Sequence, residues 1–496
     1  MGVLVQPGAF LRCGPPGAGA AHRRDPVRLW FSEAVPFAAD MGPIRSAAVN
    51  RRTMVQSYGL PVVTVLVVGY DQAAIGVALP YLTPLWHLSA GASSLLATAT
   101  VAGMLLGGFA AGPLSDRFGR RRLLLADIGL FVTMAFLSAF APSYGVLLLA
   151  RVVLGVAAGA DYTVALVAVA ETAPAARRGS WMAATLFAAN LGALGAYGAG
   201  ALLGGPGIGW RLVLGLGGVL ALPGVALRVR SEDPTEPAHR GELRLTGVLR
   251  DGLGPAALRR QARSALAAFA YQTGDQGLVL FLPVVLAALL GFGARHGDLA
   301  ALVVRAVTLP ASFATILLVD RLGRRPLQVG GFLLRGVALG LLAGLVAVAG
   351  PGAIGASLGR TSMAFDIVGA TLVALALAAG SFGPDKTTSI MPAEHAAGGA
   401  RGTEQGVVQA AGRLGGIVGP AGYLLIVSGT GLAGGLVWFA TFAVVGGLVS
   451  RRLPEGRGRA VGQPLPAPAR ARRHRPETPT AEPSAVAAVL RRSRSA

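Results

Sequence analysis

Twelve times along this chain an apolar stretch of about twenty residues recurs, and that recurrence limits what the chain can become. An α-helix needs ~20 apolar residues to cross the ~30 Å hydrocarbon core of a bilayer. The stretches lie at 57–82, 92–113, 123–141, 145–170, 181–204 and 208–227, then at 264–290, 298–318, 327–349, 364–391, 403–426 and 431–450. Only 14% of residues are charged, where soluble domains carry ~25%. The expectation is an all-α membrane protein of twelve spanning helices.

Arginine crowds into alternate loops and the two tails. The turns at 114–122, 171–180, 228–262, 319–326 and 392–402 carry it, as do both tails. The turns at 83–91, 142–144, 205–207 and 427–430 carry none, and Arg295 and Arg360 occupy the other two. Basic loops stay on the cytoplasmic side, so both termini are expected in the cytoplasm of a multi-pass protein of the cell (inner or plasma) membrane. The same distribution disfavours nucleic acid as the partner of a chain with net charge +21, because a nucleic-acid reader gathers its cations on one face. Residues 1–54 read as a disordered cytoplasmic tail without a signal-peptide core, with Met41 and Met54 as alternative starts. Residues 451–496 are Pro/Arg-rich and read as a second disordered tail. Residues 228–262, with Pro234 and Pro237, form a cytoplasmic linker between a six-helix bundle at 55–227 and another at 263–450.

The two halves repeat each other. Gly112-Pro-Leu-Ser-Asp-Arg-Phe-Gly-Arg-Arg-Arg122 places Asp116 ahead of Arg117, Arg120, Arg121 and Arg122, and Asp320-Arg-Leu-Gly-Arg-Arg325 returns 320 − 116 = 204 residues later. Asp71-Gln72 in the first span matches Asp275-Gln276 in the seventh at the same offset, 275 − 71 = 204. Glu171 precedes Arg178-Gly179 by seven residues, and Glu394 precedes Arg401-Gly402 by seven. Gly159 and Asp161 match Gly383 and Asp385. Two six-span halves in one orientation are the parallel repeat of a large transporter architecture.

These residues resemble the major facilitator superfamily over roughly residues 55–450. Gly112-x-Leu114-x-Asp116-Arg117-x-Gly119-Arg120-Arg121 is similar to its loop motif, and Arg151-x-x-x-Gly155 to its fourth-span motif. Gly69-Tyr70-Asp71 and Glu171-x-x-Pro174-x-x-x-Arg178-Gly179 resemble the sugar porters. Gly159-Ala-Asp161-Tyr162, Gly383-Pro-Asp385, Ala410-Ala-Gly-Arg413, and Asp275 four residues after Tyr271, resemble the phosphate:proton symporters. The resemblance implies the major facilitator fold and alternating access. It also implies that Asp116, Arg117, Arg120, Glu171, Arg178, Asp320, Arg321, Arg324, Glu394 and Arg401 form ion pairs that hold the outward-facing state shut on the inside.

Charged side chains inside the spans are costly and face cavities or one another. Asp71, Arg151, Asp161, Asp275, Asp385, Lys386 and Arg413 all fall there. Asn190 is twelve residues past Arg178 and Arg413 twelve past Arg401; at 1.5 Å per residue both lie ~18 Å deep. Gln72, Tyr162, Asn190, Tyr271, Asp275, Gln276, Asp385, Lys386 and Arg413 are therefore expected to meet substrate at mid-depth. Burial favours the neutral form of a carboxylate, so Asp71, with Asp161 and Arg151, is expected to couple protons. Arg151 alternatively snorkels to the outer face, and Asp127, Arg305, Arg335 and Asp366 read as interfacial. Arg413 stands where the phosphate symporters carry a lysine and favours an anion such as phosphate or an organic acid. Asp385 replaces their asparagine and opposes one, while Leu186 replaces the sugar porters' binding glutamine. The expected activity is proton-coupled transport of a small anion. A sugar or polyol symporter, or a proton antiporter exporting a cation, is the alternative.

Other classes fit less well. A Walker motif needs Gly-Lys-Ser/Thr, and the only lysine, Lys386, follows Asp385. Gly355-Ala-Ser-Leu-Gly359 matches a hydrolase elbow but has no strand before it. One cysteine, Cys13, permits neither a disulfide nor a thiolate metal site within one chain. No enzyme activity, cofactor or metal is expected, and the chain reads as a monomer in the bilayer.

Overall fold

The computed structural model describes residues 59–118, 120–205, 207–230, 245–290, 294–349, 363–396 and 400–456. The expectations for tail 1–54, for most of tail 451–496 and for the pattern at 355–359 lie outside the described residues. The first half contains α1 (Leu60–Leu85), α2 (Ala90–Phe118), α3 (Arg120–Ala139), α4 (Tyr144–Thr172), α5 (Arg178–Leu203) and α6 (Gly209–Arg230). A short α7 (Leu245–Leu253) lies in the linker. The second half contains α8 (Pro255–Leu290), α9 (Ala294–Leu322), α10 (Arg324–Ala349), α11 (Met363–Ser381), α12 (Pro384–His395) and α13 (Arg401–Ser450).

Among the described residues, 11 stretches are long and apolar enough to cross a membrane. The remaining expected span, 264–290, falls within α8. One crossing, Ile367–His395, joins α11 to α12 across Gly383. Two more come from α13, which breaks at Gly431 with φ 71° and ψ −171°. Local chemistry sets the other ends. α4 stops at Thr172 because Ala173 precedes Pro174, which forces extended backbone (ψ 138°) on its neighbour. α12 opens on Pro384, where a missing N–H costs nothing. The turn between α9 and α10 runs through Gly323 at φ 98°, a left-handed conformation that suits glycine.

In the first bundle α1 packs on α5 and α6, α2 on α4, and α3 on α4 and α6. In the second, α8 and α10 pack on α13, while α9 and α10 pack on α11. The bundles meet along α2 against α13 and α5 against α9. Those two seams are equivalents of one another, as expected of a duplicated chain. Each bundle has its own apolar core, around Tyr70, Leu82, Leu147 and Trp210 in one and Leu278, Leu342, Leu436 and Phe439 in the other.

The outside is apolar as well. Phe140, Leu202, Val348 and Leu425 are 73%, 85%, 90% and 78% exposed. In water each would forgo ~1.5–3 kcal/mol of hydrophobic burial; lipid removes that cost. The chain is a multi-pass membrane protein with the all-α architecture its sequence implies.

Candidate functional site

A cavity of about 900 Å³ lies between the bundles. It reaches Leu79, Pro80 and Thr83 near the end of α1 and Gly204 and Gly205 beyond α5. Those residues mark the end of the molecule opposite the arginine-rich loops. The polar lining comes from both halves: Gln72 of α1, Tyr162 of α4, Asn190 of α5, Tyr271, Asp275 and Gln276 of α8, Asp385 of α12 and Arg413 of α13. All eight were expected to meet substrate. Lys386, the ninth, is not in the wall. Its side chain is fully buried behind Asp385, to which Nζ donates at 2.7 Å. Asn190 ties the halves together, its Nδ2 donating to Ser312 Oγ of α9 at 2.9 Å and to Asp385 Oδ2 at 3.3 Å. Leu186, one turn before Asn190, packs in an apolar core with Leu166 and Ile390.

Ion pairs sit at the wall and behind it. Arg151 Nη1 of α4 donates to Asp71 Oδ2 of α1 at 2.8 Å, the two side chains 0% and 1% exposed. Arg151 therefore does not snorkel; a partner inside the bundle holds it. Asp71 follows Tyr70, whose hydroxyl donates to the Val213 carbonyl at 2.9 Å, and precedes Gln72 in the cavity wall. In the second half Arg335 Nη1 of α10 donates to Asp275 Oδ1 at 3.0 Å. Arg335 is thus not interfacial but 1% exposed, and Arg305 lines the cavity rather than an interface. The side chain of Asp366 lies outside the described residues.

Asp161 stands apart from the central cavity. It shares Arg228 of α6 with Asp127 of α3, deep in the first bundle. Asp127, read as interfacial, is 5% exposed. Arg228 abuts the apolar run and reads in sequence as the first residue of the linker. Its one signal is an arginine directly against a span.

Cavity charge is unbalanced. Asp275 and Asp385 each have a base, Arg335 and Lys386. Arg305 and Arg413 also line the wall, and neither has an ion-pair partner among the described residues. Arg305 Nε is buried without a hydrogen bond, and the Arg413 guanidinium lies 5.2 Å from the centre of the Tyr162 ring. Ionised, these six groups sum to 4 − 2 = +2.

The arginine-rich end is shut. Asp320 Oδ1 and Oδ2 of α9 accept from the Gly179 and Ser180 amides, at 3.2 and 2.7 Å, at the start of α5 in the other bundle. Arg324 bridges Asp320 and Glu394, both at 2.8 Å, and Arg401 meets Glu171 across the bundles at 3.4 Å. Arg178, buried, opens α5 beside them. Arg117 and Arg321 instead point outward, exposed, with Arg117 over the Phe118 ring at 4.8 Å. The side chains of Asp116 and Arg120 lie outside the described residues. On the α2/α13 seam a Cβ at Gly112 would come within 2.5 Å of the Gly402 carbonyl oxygen, so that seam is closed backbone to backbone.

Residues 62–420 match the family described as the Major Facilitator Superfamily. Among curated relatives, the D-xylose transporter of Levilactobacillus brevis is 34% identical over 156 residues, 32% of this chain and 34% of that protein. The putative metabolite transport protein YaaU of Escherichia coli is 26% identical over 451 residues, 85% of this chain and 95% of that protein. Among solved structures, the proton:xylose symporter XylE bound to 6-bromo-6-deoxy-D-glucose shares the fold at TM-score 0.70 and 20% identity, covering 82% of this chain and 98% of that one. The inward-open conformation of XylE from E. coli matches less closely, at 0.60.

Proposed function

The chain belongs to the Major Facilitator Superfamily, and from that premise we propose that it is a proton-coupled symporter of a sugar-like, polyhydroxylated solute. It works by alternating access, with its arginine-rich end in the cytoplasm of the cell that carries it. One observation supports the reading above the rest: Gln72, Gln276, Asn190 and two tyrosines face a cavity between the bundles, and Gln72 is the chain neighbour of Asp71 in the buried Asp71–Arg151 pair. Amides and phenols donate and accept in the pattern that hydroxyl groups require. Coupling follows from the pair. A proton on Asp71 cancels its attraction for Arg151, freeing a buried guanidinium behind the cavity wall and altering how α1 and α4 sit together. Solute and proton then bind the outward-open form together, and the Asp320, Arg324 and Arg401 contacts part as the inner end opens.

The curated relatives support this solute class over the phosphate reading, since a D-xylose transporter is among them. The test is uptake into proteoliposomes under an inward pH gradient, across pentoses, hexoses, polyols, phosphate and organic acids. Accumulation of a neutral sugar or polyol above equilibrium is expected, and its collapse when the gradient is dissipated. If the gradient concentrates only phosphate or organic acids, the sugar reading falls.

A second reading has its own observation, the +2 excess left by Arg305 and Arg413. Guanidinium groups grip carboxylates by paired hydrogen bonds, so a sugar acid or simple organic acid suits the same wall. Arg413→Ala would then abolish uptake of the acid and spare that of a neutral sugar. Equal loss of both would remove this reading.

A further inference from the structure

The Asp127–Asp161–Arg228 cluster is not accounted for by a central coupling pair. Arg228 Nη1 donates to Asp127 Oδ1 at 2.8 Å and to the Leu124 carbonyl at 2.5 Å, and Nη2 donates to Asp161 Oδ1. The three residues are 2%, 5% and 6% exposed. Two carboxylates against one guanidinium leave 1 − 2 = −1 if all are ionised. An uncompensated charge in so dry a place is strongly unfavourable, and such groups take up a proton instead. The atom to receive it is visible: Asp127 Oδ2 is buried and has no hydrogen-bond partner among the described residues.

A small void of about 20 Å³ lies against all three side chains, room for about one water. Arg228 is the only charged group from α6 in its lining; α1 contributes Thr64 and valines, and α3 and α4 add nothing titratable besides the two aspartates. Val68 lies in the wall of both this void and the central cavity. Asp161 follows Arg151 on α4 by 161 − 151 = 10 residues, ~15 Å nearer the arginine-rich end.

We propose that Asp127 holds a proton while Asp161 keeps the ion pair with Arg228, a second proton site separate from Asp71–Arg151. The proton forms an O–H bond at Asp127 Oδ2 and leaves the triad neutral. Set between the central pair and the arginine-rich end, the site gives its proton to water when that end opens and is then refilled by the proton from Asp71, so that one proton enters and one leaves per cycle. This relay role rests on the symporter reading; the presence of the proton does not.

The test is infrared spectroscopy of the full chain in lipid nanodiscs at neutral pH, following the carbonyl stretch of protonated buried carboxyls. The wild type should show such a band, shifted when aspartate is labelled with 13C at its carboxyl. The band should survive Asp71→Asn and disappear in both Asp127→Asn and Asp161→Asn. Each of those variants retains one carboxylate facing Arg228, a balanced pair. Should either fail to fold, the labelled wild type and Asp71→Asn carry the test alone. No shifted band, a band lost with Asp71→Asn, a band kept by either of the other variants, or a band removed by added sodium would overturn the proposal. Because no solute is needed, failure here is distinct from failure of the transport reading. In proteoliposomes, Asp127→Asn should slow gradient-driven uptake at least tenfold while solute exchange continues; unchanged driven uptake would remove the relay.

Discussion

Replacing Asp320 by asparagine probes how the arginine-rich end is held shut. Asp320 accepts from two backbone amides of the opposite bundle, at 3.2 and 2.7 Å, and from Arg324 at 2.8 Å. Its side chain is 12% exposed, so water screens these contacts little. A hydrogen bond to a charged group contributes ~1.5–3 kcal/mol. Asparagine keeps one carbonyl acceptor, so one amide bond survives while the other and the ion pair go. A loss of about 2 kcal/mol from the closed form is a reasonable figure, or about 30-fold in the equilibrium at ~1.4 kcal/mol per factor of ten. An inward-open population of ~1% would rise to roughly a fifth. Cys13 is the only native cysteine. With it replaced by serine, spin labels at Ala176 and Leu322, both exposed at that end, would report the change. Pulsed electron resonance should show a new, longer distance in Asp320→Asn that the parent lacks. An unchanged distribution, with the variant folded, would refute the idea that this cross-bundle cap holds the end closed.

Gly112→Val should open the same end by a different route, since the Cβ it adds lies 2.5 Å from the Gly402 carbonyl and overpacking costs ~1–3 kcal/mol. The label pair above should lengthen, and a silent variant would mean the α2/α13 seam is loose. Arg335→Ala leaves Asp275 without its base and should destabilise the protein by ~3–5 kcal/mol, seen as a fall in melting temperature in detergent. Adding Asp275→Asn should recover much of it, and a double variant no more stable than the single one would argue against the pair.

Much of this was readable from the chain. Span length and arginine placement are one-dimensional signals, and the duplication exposed which polar residues share a depth. That is why Asn190, Asp275, Asp385 and Arg413 converge where the repeat put them. Pairing between helices was less legible, because it depends on which faces meet. Asp71 finds Arg151 80 residues away, and nothing in either neighbourhood announces the contact. Arg335 and Asp127 sit within a few turns of a span end, where an arginine or aspartate ordinarily reaches water; buried partners on neighbouring helices hold them instead. The sequence sets Asp161 beside Asp71 and Arg151 as a proton-coupling residue, yet the α3/α6 side of α4 faces a separate void. The ion pairs at the arginine-rich end were foreshadowed more closely, since acid-before-arginine spacing recurs in both halves. Their cross-bundle cap at the Gly179 and Ser180 amides was not, because backbone donors leave no mark in the sequence.

Coupling through Asp71 is best measured in the reverse direction. Proteoliposomes loaded with a pH-sensitive dye, at equal pH on both sides, would receive a transported sugar from outside. The wild type should acidify the interior as sugar runs downhill, and Asp71→Asn should admit sugar with no change in pH. Sugar entry without acidification in the wild type, or undiminished acidification in Asp71→Asn, would contradict the account.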